Sequence, residues 1–375
     1  FLCLRTEMMR RSVTVSFFLI TAGLSLAGQE QCLPHTEGDI YLKLNNINFV
    51  RNNEYSNPII EGYTLIGYFL QPEIIYKADE KVAVSLGANL LSYSGTDRFS
   101  KIKPVFSTSF SFSDSTFFRI GTLTGSDEHR LQDPHFNRER LYTNYAGDGL
   151  QLRTTGKRYF SDTWLSWENF IFRGDNKREI LTAGESFRYA LPPIARIINI
   201  EVPFQVLIKH YGGQISDYDE QVETYLNMAI GIRAGIDAGK SGDGKAGIEC
   251  MYFSGNSLTK NSPWEINQGY AGWYKLFGAC KNASIEAGYW HSDNYYAPEG
   301  NFIFSSVSDH IENLVISERS LITGSFNLTL PWKDFLEFTF AFDGFYDTDL
   351  RRFDNAMTLH LRFGKLFRIA SLRAG

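Results

Sequence analysis

Apolar and polar residues alternate with a period of two along most of this chain, and that pattern predicts extended strands rather than helices. In residues 334–345, Leu336, Phe338, Phe340 and Phe342 fall on one face, with Glu337, Thr339, Ala341 and Asp343 on the other. Residues 320–330 repeat the arrangement, setting Ile322, Phe326, Leu328 and Leu330 against Thr323, Ser325, Asn327 and Thr329. Similar ladders run through Val82 to Leu90, Phe106 to Phe112, Ile200 to Ile208 and Leu226 to Ile236.

Alternation alone does not separate a soluble sandwich from a membrane barrel. Segment length does, because runs of about 9 to 14 residues exceed the usual soluble strand and match what a tilted strand needs to cross a bilayer. Aromatic residues such as Tyr93, Tyr189, Tyr211, Tyr252, Tyr289, Trp290, Trp332, Tyr346 and Phe367 stand near the segment ends, where interfacial girdles belong. The connections alternate as well. Short links near 79–80, 114, 158–160, 191–196, 238–243, 280 and 332–333 separate mostly longer polar stretches at 50–64, 94–102, 126–148, 173–177, 211–220, 255–267, 292–317 and 346–354. Seven turns and eight loops imply sixteen strands, with 14 and 18 also open. The expected fold is an all-β, transmembrane, antiparallel up-and-down β-barrel over residues 39–367, with both termini in the periplasm and residues 368–375 as a C-terminal tail.

The N-terminus changes the picture by supplying an address. Arg10-Arg11 precede an apolar run from Val13 to Leu26, and Ser25-Leu26-Ala27 form a small-x-small site. Residues 1–27 are therefore read as an upstream extension plus a cleavable signal peptide, and 28–38 as a periplasmic segment. About 14 apolar residues are too few to span the membrane as a helix. The leader, the run Leu65 to Tyr93 and the final segment Met357 to Phe367 resemble outer-membrane barrels of the Bacteroidota. The resemblance is one of architecture and implies an integral protein of the outer membrane, in contact with its lipid and lipopolysaccharide and inserted by the barrel-assembly machinery.

Composition supports this reading: the chain of 375 residues contains 30 Phe, 20 Tyr and 32 Gly but only 11 Pro. The net charge of −5 gives no basic footprint for nucleic acid. Of four cysteines, Cys3 lies in the leader, and Cys250 and Cys280 fall too far apart along their segments to suggest a bridge.

If the apolar sets face lipid, the interleaved charges face the lumen. These are Arg119, Arg153, Lys209, Arg233, Lys275 and Arg362 against Glu168, Glu201, Glu249, Glu286, Glu337 and Asp343. Six of each sign suits a weakly selective aqueous pore or a network of ion pairs filling the barrel. Sixteen strands enclose enough room for a channel. In the loop at 292–317, Tyr295, Tyr296, Phe302 and Phe304 beside Asp293 and Glu299 could stack on a sugar ring.

Catalytic signatures are absent from the sequence: it has no Gly-x-Ser-x-Gly, His-Glu-x-x-His or Cys-x-x-Cys. His129 and His135 lie among acids in a loop, and His360 sits on the lumen side of its strand. The expectation is a porin-like channel for passive diffusion of small hydrophilic solutes, with no catalytic residues, metal or cofactor. A surface protein for adhesion, glycan binding or envelope assembly is the alternative, and a lipid-modifying barrel enzyme ranks below both.

Overall fold

The computed structural model describes residues 37–195, 197–213, 215, 217–218, 221–238, 244–259 and 266–372. The leader and most of the N-terminal segment lie outside the described residues. The strands are β1 (Asp39–Glu54), β2 (Tyr63–Lys77), β3 (Val82–Tyr93), β4 (Lys101–Ser113), β5 (Thr116–Gly125), β6 (Ala146–Thr155), β7 (Tyr159–Asn169) and β8 (Glu179–Ala190). They continue as β9 (Ile198–Gly212), β10 (Glu223–Ala238), β11 (Gly244–Ser257), β12 (Gln268–Cys280), β13 (Ala283–Asp293), β14 (Glu318–Pro331), β15 (Leu336–Asp347) and β16 (Arg352–Ser371). All pair antiparallel with their sequence neighbours, and β1 closes on β16 from Asp39↔Ser371 to Glu54↔Asn355. Closure leaves no unpaired strand edge, which is what allows a sheet to cross hydrocarbon.

The count of sixteen agrees with the connections, and the short turns gather at one end of the barrel and the loops at the other. Two boundaries move. The last strand runs to Ser371, four residues past the aromatic at which it was expected to stop, because its backbone keeps pairing with β1. The loop before it shrinks to 348–351. Gly121 sits at φ +101°, and a Cβ there would meet the Phe106 carbonyl oxygen at 2.1 Å, so this bend in β5 requires glycine.

The alternation sorts as expected over most of the wall. Leu86, Phe106, Ile230, Leu276 and Ile285 are exposed on the outer face, while Ser85, Ser107, Gln151, Gln205, Asn227 and Thr323 are buried inside. Tyr189, Tyr252, Tyr289, Trp332, Tyr346 and Phe367 stand outward near the ends. Tyr93, Tyr211 and Trp290 do not. Tyr93 packs edge-on to Phe49, Tyr211 lies under the Arg178 guanidinium, and Trp290 is fully buried among aromatic residues of the interior.

Two loops turn into the barrel and fill its loop-side half. The first spans 126–145 and contains a 3-10 turn (Ser126–His129) and one turn of helix, α1 (Arg140–Thr143). The second spans 294–317. Tyr295, Ile303 and Phe304 of that loop are buried against Phe253, Trp273, Trp290, Leu321 and Phe345 of the wall. These aromatics are packing groups, which corrects the sugar-stacking expectation for Tyr295 and Phe304. On the other side, Leu141 and Tyr142 pack on Ile47, Phe49, Phe69 and Leu91.

Candidate functional site

All twelve charged residues read as lumen-facing stand on the inner set of their strands, and most of them hold the two loops or one another. Arg153 meets Glu128 at 2.7 Å and Asp162 at 2.9 Å, and Arg362 meets Asp127 at 2.7 Å. Lys209 reaches Glu168 at 3.0 Å and also pairs with Glu299 of the second loop. Glu249 takes Arg233 at 2.6 Å, Lys275 at 3.2 Å and the Gln132 amide at 2.8 Å. Lys275 also lies 3.5 Å from Glu286, and Glu201 lies 3.8 Å from Arg188. Arg119 donates to Ser109, Glu337 is buried opposite Arg362 in register, and Asp343 lines a cavity between the loops and the wall.

The loops form a plug because they also grip each other. Asn301 donates through its amide to Asp133 (2.8 Å), Tyr295 donates to the Pro134 carbonyl (3.1 Å), and Arg140 pairs with Glu299. Glu139 collects Arg51 and Asn53, both at 2.9 Å, and the Tyr63 hydroxyl. Arg319, almost wholly buried, donates to the carbonyls of Ile303 and Ser305 and to Asp347. Removing one partner from such pairs leaves a charge stranded in a dry site, at about 3 to 5 kcal/mol.

Below the plug the lumen stays wet. Arg233, Glu286, Arg188 and Glu201 keep roughly a third of their side-chain surface open. A small cavity between the plug and the wall is lined by Asp133, Arg138, Lys275, Glu286 and Asp343. The barrel is thus a vestibule open toward the turns and closed toward the loops.

His135 lies in the plug with no exposed surface. Burial pushes its imidazole down to about 4, offset in part by the Asn227 backbone. A depressed histidine is neutral in place, so any plug-out state gains a proton below its ordinary pKa of about 6.5. The plug's hold should therefore weaken as pH falls from about 6.5 to about 4, by on the order of 3 kcal/mol. The protection factors of residues 130–142, which take out the intrinsic slowing of amide exchange at lower pH, should fall between pH 7 and pH 4.5, and His135→Leu should flatten that dependence. An equal loss of protection in both proteins would assign the effect to the carboxylates instead.

The outer wall carries a polar feature of its own. On β1 the even positions face outward throughout, and their character changes along the strand: Ile40, Leu42 and Leu44 give way to Asn46, Asn48, Asn52 and Glu54, interrupted by Val50, while Ile47 and Phe49 are buried inside. Asn46 donates to the Phe69 carbonyl and Asn48 to the Asn46 side-chain oxygen, both at 2.7 Å. Nearer the loops, Thr64 donates to the Asn52 side-chain oxygen (2.6 Å), and the Asn52 amide donates to Glu54 (2.7 Å). Neighbours on the same face are apolar: Leu70 and Tyr68 on β2, Leu359, Leu361 and Met357 on β16. Asn46 and Glu54 are eight residues apart, so the stripe rises roughly 20 Å along a tilted strand, most of an apolar band.

This stripe escapes a search for catalytic motifs because it contains no histidine, serine or cysteine. Its signal is the change at Asn46, from which mostly polar residues take over the face that leucines held. A second outward contact joins His291 Nδ1 and Ser320 Oγ at 3.1 Å, with the Ser320 backbone donating to Asp349. His129 and His360 are committed inside: the first pairs with Asp162 at 2.8 Å and stacks on Trp164, and the second contacts the Tyr142 hydroxyl. Among the described residues no group of three or more His, Cys, Asp or Glu could hold a metal ion, and Cys250 and Cys280 are free.

A family model described as "Lipid A 3'-O-deacylase-type" matches residues 32–372. The chain belongs to that family. Membership corrects the expectation of a protein without enzymatic activity, because a family of deacylase type points to an enzyme. The barrel is also similar in fold to outer-membrane proteins of known structure. OprD of Pseudomonas aeruginosa aligns at TM-score 0.52 and 10% identity, covering 88% of this chain and 96% of its own. OccK8 (OprE) of the same organism gives 0.50 and 13%, covering 88% and 99%. A loop-deleted OmpT of Vibrio cholerae gives 0.50 and 12%, covering 87% and 98%. No curated protein matches the chain.

Proposed function

We propose that this family member is an integral outer-membrane hydrolase that cleaves acyl esters of an outer-leaflet glycolipid of the lipid A class, using the membrane-facing stripe that ends at Asn52, Glu54 and Thr64. The single observation that carries the reading is that stripe. A polar row on a lipid-facing wall costs free energy unless something polar meets it, and an amphiphile with a sugar headgroup and ester-linked chains has polar atoms at that depth. Loops then face the cell exterior and both termini the periplasm, which places Glu54 in the leaflet that holds such glycolipids.

The residues support a direct hydrolysis. Glu54, fixed by the Asn52 amide, takes a proton from a water molecule; the hydroxide adds to the ester carbonyl; the sugar alkoxide leaves with the proton that Glu54 took. Asn52 has a second amide proton to offer the developing oxyanion, and Thr64 sets the Asn52 rotamer. Asn46 and Asn48 lie deeper and line the same face.

The test is fatty-acid release from lipid A by the folded barrel in mixed micelles, compared with Glu54→Gln and Ser320→Ala. Release that survives Ser320→Ala and fails with Glu54→Gln supports this site. Loss with Ser320→Ala alone would move the chemistry to His291, and no release from the unaltered barrel would overturn the hydrolase.

The wet vestibule favours a second reading, a porin-like channel for small hydrophilic solutes that conducts when the plug is displaced. The two readings differ in the wall they use. Chemistry on the outer face is indifferent to an open lumen, whereas diffusion depends on it.

A further inference from the structure

At the foot of the plug, the first loop meets the inner wall of β5 to β8 through arginines. Arg130 ends the 3-10 turn (Ser126–His129) at φ +58° and ψ +30°, the left-handed region that a turn end usually fills with glycine or asparagine. A larger side chain held there costs free energy, and such positions gather at ligand clamps. The Arg130 carbonyl accepts from the Arg188 guanidinium at 2.8 Å and from the Gln205 amide at 3.4 Å, which ties its backbone to the wall. Its own guanidinium lies over the Phe160 ring, 4.1 Å from the centroid, and Phe160 stands opposite Arg188 in register.

Charge does not balance at this place. Arg153 bonds to both Glu128 (2.7 Å) and Asp162 (2.9 Å), and His129 shares Asp162 at 2.8 Å. Glu201 stands 3.8 Å from Arg188. Arg130 forms no ion pair among the described residues, and it is exposed toward the wet vestibule. Burial, and then the charges of Arg188 and Arg153, push its guanidinium below the ordinary arginine range. Stacking on Phe160 covers one face of that guanidinium and leaves the N–H bonds in its plane open to an acceptor.

We infer that Arg130, with Arg188 beside it, binds a small phosphate-bearing solute that enters the vestibule from the turn side. The planar edge of an arginine suits two parallel bonds to an oxyanion, and a stacked arginine is already oriented to make them. A carboxylate would cancel one of the two guanidinium charges. A phosphate group carries about two negative charges and three acceptor oxygens, enough for both. The lumen as a whole is near charge balance, so this is a local excess of cations, set where the vestibule is wet and a solute can arrive. Arg130 belongs to the plug and Arg188 to β8, so the bound anion joins loop to wall and steadies the first loop. This site lies inside the barrel and is independent of the chemistry on the outer face.

The test is titration calorimetry of the folded barrel in detergent micelles, with glycerol 3-phosphate as the probe and acetate at equal ionic strength as the comparison. One saturable site per barrel is expected for the phosphate, with acetate weaker by roughly tenfold or more. Arg130→Gln should weaken the phosphate by at least about tenfold, and Arg130→Lys, which keeps the charge but not the planar edge, by less. Lys157→Gln, exposed on the neighbouring turn, should change nothing. Raising salt from about 0.1 to about 0.5 M should weaken binding. With the probe bound, amide protection of residues 126–142 should rise in the unaltered barrel and stay unchanged in Arg130→Gln. No saturable binding, acetate binding as tightly as the phosphate, an Arg130→Gln barrel of unchanged affinity, or an equal loss with Lys157→Gln would each overturn the site.

Discussion

Glu54→Gln is expected to leave the barrel folded and to reduce acyl release by about two to four orders of magnitude, the usual contribution of a positioned general base. The exchange keeps the shape of the side chain. The carboxamide oxygen it introduces can still accept from the Asn52 amide, so the Thr64-Asn52 arrangement survives, and the lost property is the capacity to take a proton. Glu54 is exposed and makes no ion pair among the described residues, so no buried cation is stranded by the change. The loss should therefore appear in kcat with little change in KM, the signature of an interaction made only in the transition state. Asn48→Leu should do the reverse, weakening substrate binding through the deeper part of the stripe while leaving kcat nearly intact. A Glu54→Gln barrel that hydrolyses lipid A at the original rate would remove Glu54 from the chemistry.

Much of this molecule can be read from its sequence, for a reason specific to barrels. A closed up-and-down sheet has no choice of strand order, so counting turns and loops determines topology, and the inside-outside assignment follows from parity. Leu336 to Phe342 and Ile200 to Ile208 illustrate this, since one phase persists through each segment. The plug resists reading because its contacts join residues far apart in the chain. Glu299 meets Arg140 and Lys209, and Arg362 meets Asp127, and no local pattern announces such pairs. Location near strand ends marks Tyr93, Tyr211 and Trp290 as girdle residues, but position along a strand does not reveal that a loop folds back to cover them.

The stripe on β1 is an intermediate case. Its residues are visible in the sequence, but the rule that apolar residues face lipid cannot describe a strand in which the inner face packs a plug and the outer face meets polar atoms. Ile47 and Phe49 are apolar because Leu141 and Tyr142 lie against them. Asn46 and Asn48 are then left outside by parity. Glu185 obeys the same logic: the outward set of small and apolar residues at the odd positions from Ala183 to Tyr189 is broken by one acid. Exceptions to a well-kept alternation are where function concentrates, since each persists against a cost.

Removing residues 130–141 and closing the gap with a short glycine-serine link should convert a silent barrel into a conducting one. In planar bilayers the unaltered protein is expected to show no stable steps, because Glu139, Arg140 and Gln132 tie the first loop to β1, to Glu299 and to Glu249, and the second loop packs its aromatics on the wall. Deletion strips Glu299 of Arg140 and Glu249 of Gln132, but both keep wall cations, Lys209 and Lys275, so the remaining carboxylates stay paired and the barrel should still form. The opened lumen is lined by nearly balanced charge, and the resulting steps should discriminate only weakly between potassium and chloride. The milder change Glu299→Gln should give brief openings, since it loosens the second loop from Arg140 and Lys209, which keep only Glu168 as a carboxylate partner, while the aromatic packing of 294–317 persists. The hydrolase and channel readings part at this point. A deletion barrel that conducts yet hydrolyses lipid A at the original rate would place the chemistry outside and make the plug a seal, whereas a conducting barrel that has lost hydrolysis would show that Glu139, through Arg51, Asn53 and Tyr63, holds the register of the outward residues interleaved with them. A deletion barrel that stays silent would mean the second loop alone closes the lumen, and the channel reading would fall with it.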